Sequence, residues 1–319
     1  MEGAIRELVE ERTGGDPMSE KKWVRASSLR RLSRELDQAG HAASAPTVGR
    51  LLRKLGFGLR ANIKSEEAGS NHPNRDTQFG HIAERKAAFI TAGEPVISVD
   101  TKKKELIGNF KNAGQAWGAR AERVNVHDFP SDAEGRAVPY GIYDVAKNRG
   151  WVVVGQSADT PEFAVEAIVS WWEEEGRQSY PGAKGLLILA DGGGSNGARS
   201  RVFKRQLQER LADRLGVEVT VCHYPRGCSK YNPVEHRLFS FITLNWAGKP
   251  LRSFGAMLGF IRTTTTTRAG LKVKAVLNEK VYAKGRRVSD AEMETLNLER
   301  HEVCPEWNYT VRSRLVVNA

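Results

Sequence analysis

No apolar run in this chain approaches the roughly twenty residues that cross a bilayer, and its start, "MEGAIRELVEERTGG", is acidic and amphipathic, unlike a secretion leader. A cytoplasmic protein is therefore expected. Cysteine is scarce: Cys222, Cys228 and Cys304 cannot all pair with one another, which excludes a disulfide framework. Zinc is disfavoured too, because Cys222, His223, Cys228 and His236, or His301 with Cys304, match no recognised finger spacing. Acidic residues are in deficit, with 38 Asp and Glu against 49 Lys and Arg, a net charge of +11. Hydrophobic residues are not in deficit. At 40% hydrophobic and 8% aromatic, 319 residues suffice for one large or two ordinary domains with a sizeable core, and a disordered chain is not expected.

The surplus of positive charge points to a polyanionic partner, and it is concentrated near the front. Residues 21–64 carry eleven Lys or Arg against only Glu35 and Asp37. Within them "SSLRRLSRELDQAG" places Leu29, Leu32 and Leu36 at helical spacing, with a Ser start and Gly40 as a stop. Ser44 and Pro46 then open a second helix that buries Val48, Leu51, Leu52 and Leu55. Two helices in succession, the second basic, form the pattern of a helix-turn-helix, with Arg30, Arg31, Thr47, Arg50, Arg53 and Lys54 as candidate DNA contacts. A helical hairpin with solvated charges is the competing reading.

Residues 61–75 lack apolar periodicity and read as a linker, followed by one helix in "DTQFGHIAERKAAFITAG". From Glu94 the texture changes to short apolar or alternating runs. Strands are expected at 96–101, 105–110, 138–145, 151–156, 185–190 and 217–223, with helices at 161–175, 199–214 and 233–246. That order describes an α/β mixed sheet with helices on its faces. The division that follows is 1–70 for the helix-turn-helix region, 71–93 for a connecting helix, 94–250 for the catalytic domain and 251–319 for a basic accessory region, where "LKVKAVLNEKVYAKGRRV" reads as a hairpin or two.

Glycine is dense in "LLILADGGGSNGARSR", yet the spacing of Gly192, Gly193, Gly194 and Gly197 fits neither a phosphate-binding P-loop nor a dinucleotide fingerprint. What remains is Asp191 at the carboxyl end of an apolar run, the edge where α/β sheets build their sites. Asp100 in "EPVISVDTKKKE" holds a comparable place, followed directly by Lys102, Lys103 and Lys104, of which Lys102 and Lys103 are candidate contacts to a DNA backbone. Glu235 lies in the first turn of "NPVEHRLFSFITLNW", whose Val234, Leu238, Phe241, Ile242 and Trp246 should clamp it on the sheet. If the two strands neighbour each other and the helix crosses their edge, three carboxylates meet. Such a cluster suits hard divalent cations such as magnesium, and a pair of them serves in-line phosphoryl transfer.

The order Asp100, Asp191, Glu235, set 91 positions and then 44 positions apart, resembles the DDE transposases and integrases. The chain is similar over nearly its whole length to insertion-sequence transposases of the ISAzo13 type, on "EPVISVDTKKKELIGNFKN", "VHDF", "PYGIYDV", "ADGGGSNG", "HYPRGCSKYNPVEHRLFSFITLNW" and "EWNY". The resemblance implies a ribonuclease H-like catalytic domain. It implies that Asp100 and Asp191 bridge two Mg2+ or Mn2+ ions while Glu235 completes the second site. The implied partners are double-stranded DNA, as transposon ends and target, and a second copy of the chain. It also implies a further DNA-binding region upstream of "LVEERTGGDP", so that a truncated copy is expected here.

Around these acids, Gly192, Gly193 and Gly194 would keep bulk away from Asp191, and Asn196 would orient a phosphate or a metal-bound water. Lys230 and His223 would reach the scissile strand, and His127 with Asp128 would lie near DNA or serve a turn. Trp171 and Trp172 read as core plus one exposed ring. Two competing readings are an inert DNA-binding relic and a ribonuclease H-like nuclease without strand transfer.

Overall fold

The computed structural model describes residues 2–10, 13–15, 22–24, 28–58, 72–116, 120–126, 129–266 and 270–314. Two compact units divide the chain, Met1–Ser65 and Glu66–Ala319.

In the first unit α1 (Glu2–Glu10), the two short paired strands β1 (Thr13–Gly15) and β2 (Lys22–Val24), α2 (Leu29–Gln38) and α3 (Ala45–Lys54) follow one another. The hairpin was not anticipated. Ser28 and Ser44 cap α2 and α3 by accepting the backbone N–H groups of Arg31 and Thr47. Each helix ends alike: Gly40 at φ +78° and Gly56 at φ +84° turn the chain, and His41 and Phe57 donate back to the carbonyls of Leu36 and Leu52. Ile5, Val9, Leu32, Leu36 and Val48 form the core. Six residues, 39–44, separate α2 from α3, more than the three or four of an ordinary helix-turn-helix.

The second unit begins with α4 (Arg75–Thr91) and is built on a nine-stranded mixed sheet. Strands β3 (Val96–Thr101), β5 (Gly135–Asp144) and β6 (Arg149–Gly155) form an antiparallel run, and short β4 (Glu105–Ile107) pairs with β5. On the other side of β3 lie β7 (Gly185–Asp191) and β8 (Glu218–Tyr224), both parallel to it. Helix α5 (Pro161–Trp171) runs through a π turn into α6 (Arg177–Ser179), and α7 (Arg201–Leu207) likewise runs into a π turn at Gln208–Asp213. They cover one face with Phe163, Ile168, Phe203 and Leu207. The opposite face carries the helical stretch from Pro233 through α8 (Ser240–Asn245), and α9 (Phe254–Arg262). Trp171 and Trp172 are both buried; neither ring is left at the surface.

The expected accessory region instead completes the sheet. β9 (Lys272–Asn278) pairs in parallel with β6 rather than folding into a hairpin, because its Val273 and Ala275 pack inward while the stretch after Asn278 forms no strand. After α10 (Asp290–Glu294), β10 (Leu298–Arg300) and β11 (Asn308–Val311) extend the other edge, with β11 against β8. No described helix is long and apolar enough to cross a membrane. The three cysteines are free and buried, and desolvation pushes the Cys222 thiol up to about 12.

Candidate active site at the carboxyl edge of the sheet

Val99 pairs with Ala190 in the parallel register of β3 and β7, so the next residues, Asp100 and Asp191, end adjacent strands side by side. Side chains alternate along a strand, which puts Ser98, Asp100, Leu189 and Asp191 on one face and Thr101 on the other. Glu235 comes to that first face by close packing. Gly141, directly opposite Asp100 on β5, has the ring of Phe239 where a Cβ would stand, and Gly150 has Leu238. The helix thus rests on bare backbone. A π turn spans Glu235–Phe239, so the acid opens a widened helical turn.

One side chain ties the three segments together. Asn232 donates to Asp191 Oδ1 at 3.0 Å and toward the Val99 carbonyl at 3.3 Å, while its Oδ1 accepts from the Ser98 hydroxyl. Ser98 in turn accepts the Val234 N–H at 2.8 Å. Neither Ser98 nor Asn232 stood out beforehand, although a lone serine inside "VISVD" and an Asn-Pro helix start were available as signals. On the other face Thr101 anchors the strand tip: its N–H donates to Asp100 Oδ1 at 2.7 Å and its hydroxyl to Asp159 at 3.1 Å.

Electrostatics record the crowding. Burial, then the charge of Asp191, then that of Glu235 push the Asp100 carboxyl up to about 8, against the stabilising Thr101 N–H. Asp191 is also raised, by burial and by Glu235, against the Asn232 amide. Among the described residues no Lys or Arg forms an ion pair with any of the three acids. Lys102, one of the expected DNA contacts, is turned inward onto Glu105 at 3.1 Å and over the Trp246 ring at 4.7 Å; Lys103 stays exposed. The cluster is thus an all-oxygen donor set that lacks a counter-charge, which fits a hard divalent cation. It is not a closed cage: among the described residues no three His, Cys, Asp or Glu stand ready-set around a metal position.

The glycine loop is held from behind. His223 is fully buried, its ring lying between the carbonyls of Trp307 (2.9 Å) and Asn196 (2.8 Å), and burial lowers its proton affinity. It is a brace and does not reach solvent. Buried Lys204 donates to the Ala198 carbonyl at 2.6 Å, and desolvation pulls its ammonium down to about 8. Gly197 packs against the carbonyls of Gly192 and Gly194, so its missing side chain serves the curl of the loop, whereas Gly193 and Gly194 face open space. Asn196 is completely buried, its amide without a protein partner, so it does not stand open to a phosphate.

Lys230 is exposed beside the Tyr231 ring. In the first unit Arg30, Arg50 and Arg53 are exposed, Arg31 pairs with Glu35 and Lys54 with Glu2, and Thr47 bonds Arg50 at 3.3 Å. His127 and Asp128 lie outside the described residues.

A mixed sheet with acids gathered at its carboxyl edge and a helix laid across it is the arrangement expected of a ribonuclease H-like fold. Residues 4–313 match the family model described as the Rhodopirellula transposase DDE domain, and the chain belongs to that family. It is accordingly a transposase-family protein of polynucleotidyl transferase type. Among solved structures, the Mos1 transposase paired-end complex with left transposon end is similar at 12% identity and a TM-score of 0.45, covering 82% of this chain and 69% of that one. The Mos1 strand transfer complex is similar at 13% identity, a TM-score of 0.45 and the same coverage. A comparison with curated proteins gives no match.

Proposed function

We propose that this protein cleaves phosphodiester bonds at the ends of an insertion sequence and joins the freed 3′-OH to target DNA, with Asp100, Asp191 and Glu235 as its catalytic acids. The observation that carries the reading is geometric: Asp100 and Asp191 end adjacent parallel strands, Glu235 stands close enough to help raise both carboxyls, and among the described residues no cationic side chain is paired to the three acids. They would hold Mg2+ or Mn2+. Bound there, a pair of such ions supplies activation of the attacking oxygen and charge stabilisation of the leaving one.

The chain's own groups do the positioning. Asn232 fixes the carboxylate of Asp191, the Thr101 N–H fixes that of Asp100, and the helix resting on Gly141 brings Glu235 to them. The exposed Arg30, Arg50 and Arg53 of the first unit, with Lys103 and Lys230 of the second, are assigned to the DNA backbone. The active form is assigned at least two copies, one for each element end.

Asp191→Asn tests the assignment. Mg2+-dependent cleavage and strand transfer on duplexes carrying the DNA that flanks the gene should fall by on the order of 10³-fold or more, while DNA affinity is kept. Activity equal to that of the parent protein would refute it. Supplying pre-cleaved ends separates transposition from simple nuclease action, since only the former yields a joined product.

A further inference from the structure

Across the tip of β3 from the acids lies a cleft of about 470 Å³ whose walls are the start of α7 and the ribbon 283–288. Five basic side chains line it, Arg199, Arg201, Lys284, Arg286 and Arg287, against two acids, Asp159 and Glu162. Two of the five are committed inside the fold: Arg201 to Asp290 at 2.6 Å and to the Val288 carbonyl at 3.2 Å, and Arg286 to Glu162 at 3.8 Å. Among the described residues no acid pairs with Arg199, Lys284 or Arg287, and all three are exposed.

The ribbon has no regular secondary structure, yet both its ends are fixed. Tyr282 packs on Phe163 with ring centroids 5.5 Å apart and donates its N–H to Ser157, while Val288 is buried and its carbonyl is held by Arg201. The backbone that carries its cations is therefore anchored at both ends. The cleft is joined to the acids by Asp159, which lines it and accepts the hydroxyl of Thr101, the residue after Asp100. Arg199 closes the link from the other side, eight positions beyond Asp191 at the end of the glycine loop.

We propose that this cleft is a binding site for the sugar-phosphate backbone of the DNA strand being cut, with Arg199, Lys284 and Arg287 on consecutive phosphates just past the scissile one. The proposal rests on the phosphodiester chemistry proposed above. Guanidinium forks and a point-charge ammonium, free of carboxylates in a cleft that Asp159 and Thr101 join to the carboxylate site, match a run of phosphates leaving that site. The contacts read no sequence.

The test uses the full chain carrying Asp191→Asn, in EDTA, so that binding is read without cleavage. Anisotropy of a labelled 30-base-pair duplex is followed against KCl for this protein and for the same chain with Lys284→Gln and Arg287→Gln. Each lost phosphate contact lowers the slope of log K against log salt by about 0.9, so a drop of nearly two is expected. Restoring charge with Lys284→Arg and Arg287→Lys should restore the slope. An unchanged slope and affinity in a variant that still melts like its parent overturns the site, as does a loss that the charge-restoring variant fails to reverse. The two proposals fail separately: a lowered slope in a chain whose Asp191-intact parent never cleaves keeps the cleft and removes the chemistry, and the reverse pattern removes the cleft alone.

Discussion

The two units place charge in opposite ways. In the first, Arg30, Arg50 and Arg53 stand exposed on helices whose serine caps, glycine stops and leucine stripe all specify the same local structure. In the second, Asp100 and Asp191 are pressed together at a sheet edge, where burial and repulsion raise both carboxyls. Charge at the surface costs the fold little and can be exchanged; charge gathered at the edge weighs against the fold.

Substitutions can break that contrast, beginning with the largest expected effect. Asp100→Asn should abolish cleavage while raising the melting temperature of the metal-free protein, because it removes a carboxylate the fold disfavours. A raised folded pKa means this group's contribution to stability is fully present below the ordinary carboxylate range and is lost as pH rises through about 8. The parent should therefore lose stability over that window and the variant should lose less; parallel melting curves against pH would sink the electrostatic account. Gly141→Ala forces a methyl group into Phe239, at about 1–3 kcal/mol in chemical denaturation. Because the displaced helix carries Glu235, cleavage should fall further than stability explains.

Asn232→Leu should lower cleavage by about 10- to 100-fold, as loss of a group that orients a metal ligand does, and raise the metal concentration needed for half-maximal rate. A rate loss with unchanged metal dependence would assign Asn232 to the fold alone. In the first unit Ser44→Ala removes a cap and should cost about 1 kcal/mol, read from a melt of the N-terminal helices. Smallest in stability is Arg50→Gln with Arg53→Gln, expected within about 0.5 kcal/mol of the parent yet lowering the salt slope of duplex binding by nearly two. A large loss of stability there would erase the contrast.

The same contrast explains what the sequence disclosed. Local signals were strong where short-range physics decides: β3 occupies 96–101 as expected, α5 starts at Pro161, and Gly40 stops α2. That residues 100 and 191 lie at strand ends and 235 near a helix start was legible, because each element has a clear apolar pattern. Partners chosen across the sheet were not legible. β11 is four residues long, and its place beside β8 depends on a register that no local period encodes. Lys102 read as a DNA contact in a run of three lysines, and only the position of Glu105 and Trp246 turns it inward. Ser98 and Asn232 are 134 positions apart, and their bond exists only once the helix lies on the strand.

The late arrival of β11 bears on how damaged copies of such a gene behave. Its backbone covers β8, and the Trp307 carbonyl steadies the histidine behind the glycine loop. A reading frame interrupted before residue 298 would leave β8 as a naked, largely apolar rim with its hydrogen-bonding groups unsatisfied. Such products should precipitate or be degraded rather than persist as feeble nucleases, so that loss of the last strands silences the element at the level of protein solubility.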